Sequence, residues 1–568
     1  MQQLENIVKY IIQQNPSTKA NFDDTRRKIC GKLKINQPSN RNLLSAYQNL
    51  VKKKRIKQDI QLEKLMRKAD IRTLSGVAIV TSLTKPHPCP GGCVYCPTER
   101  KMPKSYLASE PAAARALGLK FSPYEQMQRR IEMLEKNGHP TDKIEYIIKG
   151  GTWNAYPLKY QYWFILESFR ACNDLSHNTY HVSRNKKIIK HYNNKTLKQL
   201  QKELNIEQNY NDFKAKHKII GLTLETRPDI VTPTTILHMR QQGCTRIELG
   251  LQAPDDKILK LVRRGHTVQQ FKDAMLLLRQ AGFKVDLHFM PDLPGTTPKH
   301  DVEMYKLLFD DPGFKPDMVK IYPCTVIKSA ELYKWYKNKK YKPYKEEELF
   351  ESLIEMKKLT PRYCRISRLI RDIPNDDIQA GNAITNLREY LTQEMKKRGL
   401  KCKCLRCREV GHAVTSARQH LSTITPKLFI DKYETIGGTE YFLSFEDKKR
   451  LVVFAFLRLR LPTSGMTNAS LSLDNLAIVN PLYEVLPEIK NSAFIRELHT
   501  YGQLLELGTK NKSASQHKGL GKKLVKEAER IVKNNKFKKL AVISGVGVRG
   551  YYRKLGYKKY GTYMVKKI

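Results

Sequence analysis

From about residue 76, short apolar runs rich in β-branched residues recur: GVAIV, KIEYIIKGG, KIIGLTLET, RIELGLQ, KVDLHFMPDLPG and MVKIYPC. Between most of them lie stretches with apolar residues at helical spacing, YEQMQRRIEMLEKNG, PTTILHMRQQG, TVQQFKDAMLLLRQAG and KHDVEMYKLLFDD. Near-continuous apolar runs predict strands buried on both faces. Their alternation with amphipathic helices predicts right-handed βα units around a parallel sheet. Six such units predict a partial (β/α)6 barrel over residues 71–360, with its chemistry at the carboxyl ends of the strands. The Lys- and Asn-rich stretch from Asn173 to about Lys216 breaks the rhythm and reads as a surface insertion, helical near KTLKQLQKEL.

The barrel pattern is flanked by other patterns. Residues 1–70 hold short amphipathic stretches, LENIVKYII and NLLSAYQNLVKKKRI, and read as a basic helical block. Residues 361–424 form a basic, cysteine-containing linker. Residues 425–568 carry strand-like EYFLSFED, LVVFAFLRLRL and FIRELHTYGQLLEL, a glycine turn, the helix GKKLVKEAERIVKNN and the strand KKLAVISGV, a separate α/β domain.

Charge narrows the partners. The 568 residues include 103 Lys/Arg against 55 Asp/Glu, a formal net charge of +48, which favours a polyanion such as RNA over a small neutral substrate. Residues 1–70 alone carry 16 Lys/Arg against six Asp/Glu, and Lys52, Lys53, Lys54 and Arg55 suit phosphate contacts, or else form a solvated helix end. No apolar run approaches the ~18 residues of a membrane span, and MQQLENIVKY lacks the layout of a secretory signal. A soluble, cytoplasmic protein without a membrane partner is expected. In a reducing compartment the 11 cysteines, two tight clusters plus singles, read as metal ligands and not disulfides. The singles Cys30, Cys172, Cys244 and Cys324 read as small buried hydrophobes.

After the first barrel strand, KPHPCPGGCVYCP places Cys89, Cys93 and Cys96 in C-x3-C-x2-C spacing. Three thiolates on one loop can hold three irons of a four-iron, four-sulfur ([4Fe-4S]) cluster and leave the fourth open; zinc is the alternative. At the end of a βα-barrel strand this loop resembles the radical S-adenosylmethionine (SAM) superfamily. The resemblance implies SAM as cofactor and gives Gly150, Gly151 and Thr152 the place of the two-glycine segment that meets the methionine amino group. In LETRPD, Glu225 can hold ribose hydroxyls and Arg227 the methionine carboxylate, with a surface salt bridge as the other reading. Gln252, His288 and Asp292 complete a polar rim.

QHKGLG, with Gln516, Gly519 and Gly521, resembles the Q-x-x-G-x-G turn of the GNAT acetyltransferases, whose amides at a helix N-terminus cradle the coenzyme A pyrophosphate. Tyr551 or Tyr552 lies where that fold puts a hydroxyl near the thioester, and aromatic core is the alternative for either. Both resemblances on one chain, with IRTLSGVA, CVYCP, GLTLETRPD, CTRIELGLQ, RRGHT, MPDLPG, RDIP, REVG, RELHTYG, AVISGVG and YYRKLGY, resemble the catalytic subunits of Elongator, and the compact cysteine spacing resembles their bacterial and archaeal members. The family implies modification of tRNA wobble uridine 34: SAM is cleaved reductively, the radical takes a hydrogen from the acetyl methyl of acetyl-CoA, the carbon radical adds to C5, and hydrolysis leaves carboxymethyluridine. It also implies acetyl-CoA contacts at Lys143, Glu497, Leu498, His499, Thr500, Leu520, Gly521, Lys522 and Tyr552, a site straddling two domains.

LKCKCLRCREVG places Cys402, Cys404 and Cys407 in C-x-C-x2-C, which reads as zinc with His412 or Cys364 as fourth ligand, with three idle thiols or a second iron–sulfur cluster as the alternatives. A lysine acetyltransferase and an RNA-binding scaffold remain the rival functions. A homodimer or accessory subunits remain open.

Overall fold

The computed structural model describes residues 2–67, 76–175, 192–410, 425–463, 473–501 and 519–568. The six expected strands are present: β1 (Ala78–Leu83), β2 (Lys143–Lys149), β3 (Lys218–Thr226), β4 (Arg246–Gln252), β5 (Lys284–Phe289) and β6 (Met318–Ile321). They pair in parallel in sequence order, and a seventh, β7 (Arg365–Arg368), joins β6. This curled sheet is an open half-barrel. β4 is buried at every position, with Ile247, Leu249 and Leu251 in the core and Arg246, Glu248 and Gln252 turned to the inside of the curl. β7 comes from the segment read as linker; Arg-Ile-Ser-Arg has one apolar residue and no run to reveal it.

The crossover helices begin where the sequence signals them. Ser122, Thr232, Thr267 and Thr297 each accept a backbone N–H in the first turn of Pro123–Lys136, Pro233–Gln241, Val268–Gln280 and Pro298–Asp310. The 173–216 stretch is a correction: its described part is built into the fold. Helix Leu197–Phe213 buries Leu200 and Leu204, and the Asn211 amide donates to Asn173 (3.0 Å) and to the His217 carbonyl (2.9 Å). Two of its polar side chains, Asn173 and Asn211, are buried ties, and the helix expected near KTLKQLQKEL is present; residues 176–191 lie outside the described ones.

Ahead of the barrel, helices Gln2–Gln14, Lys19–Lys32, Asn40–Lys52 and Ile60–Met66 share their own core around Ile7, Phe22, Leu44 and Tyr47. Among the described residues no helix is long and apolar enough to cross a membrane. Cys30, Cys172, Cys244 and Cys324 are all buried.

A second seven-stranded sheet contains β8 (Lys427–Thr435), β9 (Gly438–Glu446), β10 (Val453–Pro462), β11 (Ala493–Thr500), β12 (Lys539–Val542), β13 (Lys558–Tyr560) and β14 (Tyr563–Lys567), in the order β8-β9-β10-β11-β12-β14-β13. Only β11 and β12 pair in parallel. Helix Leu520–Asn534 packs its apolar stripe, Leu524, Val525, Ala528 and Val532, on this sheet.

Buried charge locks the two sheets together. Asp317, just before β6, accepts two bonds from Arg496 of β11 (2.5 and 2.8 Å), and Glu440 of β9 receives Arg496 (3.0 Å) and Arg279 of the barrel (2.9 Å). Asp317, Glu440, Arg279 and Arg496 are all fully buried. Burial alone would raise the Asp317 pKa, but Arg496 and Arg279 outweigh it and hold the carboxyl well below the usual range. Asp317→Ala leaves uncompensated guanidinium charge and is expected to cost about 3–5 kcal/mol, read as a lower urea midpoint. The native contribution is complete above about pH 4 and lost as pH falls further. An unchanged midpoint would show that the network does not hold the sheets.

Candidate active site

The chain leaves β1 at Thr84, whose N–H donates to the Lys149 carbonyl (3.0 Å) and whose hydroxyl bonds Tyr156 (2.7 Å), drawing the ends of β1 and β2 together. Gly150 is required there: at φ +138° a Cβ would lie 1.8 Å from Thr84 Oγ1. The cysteine loop follows. His87 stacks on Tyr156 (4.6 Å) and bonds the Ala155 carbonyl (3.0 Å), and Cys89 Sγ lies 3.5 Å from Thr152 Oγ1. On its other side the Val94 N–H donates to Val262 (3.1 Å). The Gly150–Thr152 segment thus lies against the cysteine loop.

Cofactor fit is testable on what these residues leave unsatisfied. Arg227 uses Nε and Nη2 on Asp229 (2.9 and 3.1 Å) and Nη2 on the Gly265 carbonyl (3.1 Å). Its Nη1 is buried without a partner, 2.1 Å from where a Cβ on Gly91 would sit. Gln252 Oε1 is likewise buried and unpartnered. An orphaned donor beside a glycine cradle and a three-thiol loop suits a cluster with an anionic, amino-acid-like ligand. The Sγ atoms of Cys402, Cys404 and Cys407 lie within 4.8 Å of one another, as a single ion demands, whereas Cys89, Cys93 and Cys96 are not so gathered. Ligands to separate irons of one cluster need not converge on a point.

From this loop a cavity of about 910 Å³ runs down the inside of the half-barrel. Strand alternation turns charged residues into it. Lys149 of β2 and Lys320 of β6 both pair with Glu248 of β4, and Glu225 of β3 accepts from Tyr106 (2.9 Å) with Lys149 at 3.7 Å. Burial opposes ionisation of Glu225, but Lys149, Lys320 and the Tyr106 hydroxyl bond outweigh it and lower its pKa, so it is an acceptor for hydroxyls at neutral pH. Glu225, Glu248 and His288 lie close enough to share a cation, yet Lys149 and Lys320 already occupy the space beside these acids, with burial and Lys320 drawing the Lys149 pKa well down. His288 is held neutral, by burial first and by Lys320. Lys149, Glu248 and Lys320 belong to no motif in the sequence and were not expected at this site. Their signal was a charge inside an apolar strand run.

The cavity's other end is closed by the second sheet. Glu497 of β11 bonds Lys284 at the start of β5 (2.7 Å) and Arg458 of β10 (2.8 Å), which overcome burial and hold it at about 2. Glu497, His499 and Tyr501 line the lumen. Burial lowers His499 to about 4, and its Nε2 has no partner. Leu498 and Thr500 face the opposite side of the same strand. A Cβ on Gly521 would lie 3.3 Å from Thr500 Cγ2, 3.9 Å from Leu498 and 3.0 Å from the Tyr551 hydroxyl. β11 therefore has one face in the barrel lumen and the other at the N-terminus of helix Leu520–Asn534.

Other expected residues fall unevenly. Gly519, at φ +92°, caps that helix, Leu520 is buried in its core, Lys522 is exposed, and Gln516 lies outside the described residues. Tyr551, not Tyr552, brings its hydroxyl to Gly521; Tyr552 is buried edge-on between Tyr551 and Tyr557, where the aromatic core holds it. Lys143 opens β2 at the strand end opposite Gly150, with its ammonium 3.4 Å from Asp142 and outside the cavity lining. Asp292 is a correction. It lies buried beneath the loop after β5, where the Tyr344 N–H reaches both its oxygens (3.2 Å), and burial, with Asp301 nearby, pushes it up to about 8. Cys364 is buried beside the second thiol group, its carbonyl accepting from Leu405 (2.8 Å), and His412 lies outside the described residues.

Residues 87–308 match the radical SAM superfamily, and 316–397 match a radical SAM C-terminal domain. The chain is 42% identical over 517 residues to a tRNA uridine(34) acetyltransferase of Methanocaldococcus infernus, covering 89% of this chain and 88% of that one. It is 39% identical to its Dehalococcoides mccartyi namesake, covering 87% of this chain and 98% of the other. Against Elongator complex protein 3 of Saccharomyces cerevisiae it is 35% identical, over 88% and 84%. The solved structure of M. infernus Elp3 lacking residues 1–46 superposes with a TM-score of 0.67 at 39% identity, covering 87% of this chain and all of that one. With its three-thiol loop at the end of β1, the chain belongs to the tRNA uridine(34) acetyltransferase and Elongator complex protein 3 family of radical SAM proteins.

Proposed function

We propose that this chain modifies C5 of tRNA wobble uridine 34, forming carboxymethyluridine from acetyl-CoA by SAM-dependent radical chemistry. The observation that carries this reading is the one lumen shared by Cys96 at one end and by Glu497 and His499 at the other. Along β5, from Lys284 to Phe289, the ends are about 17 Å apart. When bound, the cluster with SAM supplies one-electron, hydrogen-abstracting chemistry, and acetyl-CoA the two-carbon unit. Arg227 Nη1 donates to the methionine carboxylate, and ionised Glu225 accepts from ribose hydroxyls. Amides around Gly519–Gly521 at the start of a 15-residue helix receive the pyrophosphate, with exposed Lys522 beside them. Cys402, Cys404 and Cys407 hold a structural zinc, completed by Cys364 or by His412.

Nucleoside analysis of tRNA incubated with protein, SAM, acetyl-CoA and a reductant tests this. Carboxymethyluridine at position 34 is expected only when all are present. Acetylation of a lysine peptide without tRNA would instead support a lysine acetyltransferase.

The basic N-terminal helices supply the RNA contacts. Lys53 and Arg55 lie 3.7 and 3.6 Å from the one Glu5 carboxylate, which offsets part of the charge of this exposed run, and Lys52 and Lys54 add to what remains. Lys52→Ala with Lys54→Ala is expected to weaken tRNA binding and flatten its log–log salt slope by about 1 per lysine. An unchanged slope would make this run a solvated helix end.

A further inference from the structure

Arg264 has no part in the contacts above, yet it is buried against the cysteine loop, only 7% exposed. Its guanidinium reaches three partners: Nη2 donates to the Gly250 carbonyl at the end of β4 (2.8 Å), Nε to His266 Nε2 (3.1 Å), and Nη1 to Cys93 Sγ (3.6 Å). The surroundings are shaped for it. A Cβ on Gly250 would lie 2.5 Å from Nη2, so the strand end must be glycine for the guanidinium to fit. His266 Nε2 lies 3.1 Å from both Arg264 Nε and the Gly250 carbonyl, and its Nδ1 lies 3.2 Å from the Thr267 carbonyl, so the imidazole braces the guanidinium against the strand end.

We propose that Arg264 is a positioning residue that sets the reduction potential of the cluster, acting through the Cys93 sulfur. This rests on the reading of Cys89, Cys93 and Cys96 as cluster ligands. Reduction adds one electron from an external donor and makes the cluster more negative, with no bond to Arg264 formed or broken. A charge-assisted N–H···S contact in a water-poor site stabilises the reduced form more than the oxidised one and so raises the potential. Electron entry then occurs at a less extreme donor potential.

The test is an anaerobic redox titration of reconstituted full-length protein, followed by electron paramagnetic resonance with iron counted in parallel. Arg264→Gln, with full iron, is expected to show about a tenfold lower reduced-to-oxidised ratio at fixed potential, a midpoint about 59 mV more negative for a one-electron couple. Arg264→Lys keeps the charge but not the three-way fork, and a smaller shift in the same direction is expected. An unshifted midpoint in iron-replete Arg264→Gln overturns the proposal. Should that variant lose iron, Arg264→Lys decides: a negative shift supports the proposal, and a wild-type midpoint overturns it. Loss of iron from both makes Arg264 a structural prop of the loop and also overturns it. A wild-type protein that takes up no cluster defeats the ligand reading itself, a separate result.

Discussion

Cys96→Ala protein, reconstituted without oxygen, is expected to lose the charge-transfer absorption of a four-iron cluster and all modification of uridine, while still binding acetyl-CoA. Cys96 lines the lumen beside the lysine and glutamate groups of β2, β3 and β4, whereas the coenzyme A contacts proposed at Gly521 lie across β11 from it. The two losses are therefore separable. Replacing Cys402, Cys404 and Cys407 by Ala should leave the absorption intact and lower thermal stability, because a structural zinc contributes folding energy directly. The reverse pattern, absorption surviving without Cys96 and vanishing with the second group, would exchange the roles of the two thiol clusters.

Gly521→Glu is expected to have an effect of similar size by the opposite route. Its carboxylate would stand at the N-terminus of helix Leu520–Asn534, a position that favours negative charge in the free protein, so folding is not threatened electrostatically. The same charge repels a bound pyrophosphate, and like charges brought together cost several kcal/mol, so acetyl-CoA affinity should fall about 100-fold or more. Gly519→Glu strains the backbone at φ +92°, and Gly521→Glu crowds the Tyr551 hydroxyl 3.0 Å from its Cβ, so the thermal midpoint is measured beside the affinity in either variant. Isothermal titration with acetyl-CoA checks the affinity, and the visible spectrum checks that the cluster remains. Undiminished binding would place the thioester somewhere other than this helix.

The half-barrel was legible because short runs rich in β-branched residues alternate with amphipathic helices, although β2 and β4 also carry charges at inward positions. β7 was not, since at the sheet's edge Arg365 and Ser367 turn towards the lumen and only Ile366 enters the core. Helix Leu158–Asp174 also escaped, because aromatic residues such as Tyr160, Trp163, Phe164 and Phe169 are buried around much of its circumference and leave no clean helical stripe. That the cysteine loop, Gly150, Glu225 and Arg227 stand at strand ends was readable from the order of strands and motifs, while the roles proposed for them came from the family resemblance. Which tyrosine faces the helix N-terminus was not, because the two are adjacent in sequence and only packing separates Tyr551 from Tyr552. Pairs such as Lys149–Glu248 in the lumen and Asp317–Arg496 in the lock join residues 99 and 179 positions apart, and no local pattern encodes them.

The central claim is that both ends of the lumen act on one acetyl group. Protein given methyl-deuterated acetyl-CoA, SAM, tRNA and a reductant, with 5′-deoxyadenosine recovered and weighed by mass spectrometry, tests it most directly. Transfer of deuterium into 5′-deoxyadenosine, together with formation of carboxymethyluridine, is the result expected here. Carboxymethyluridine formed while 5′-deoxyadenosine stays free of deuterium would contradict it.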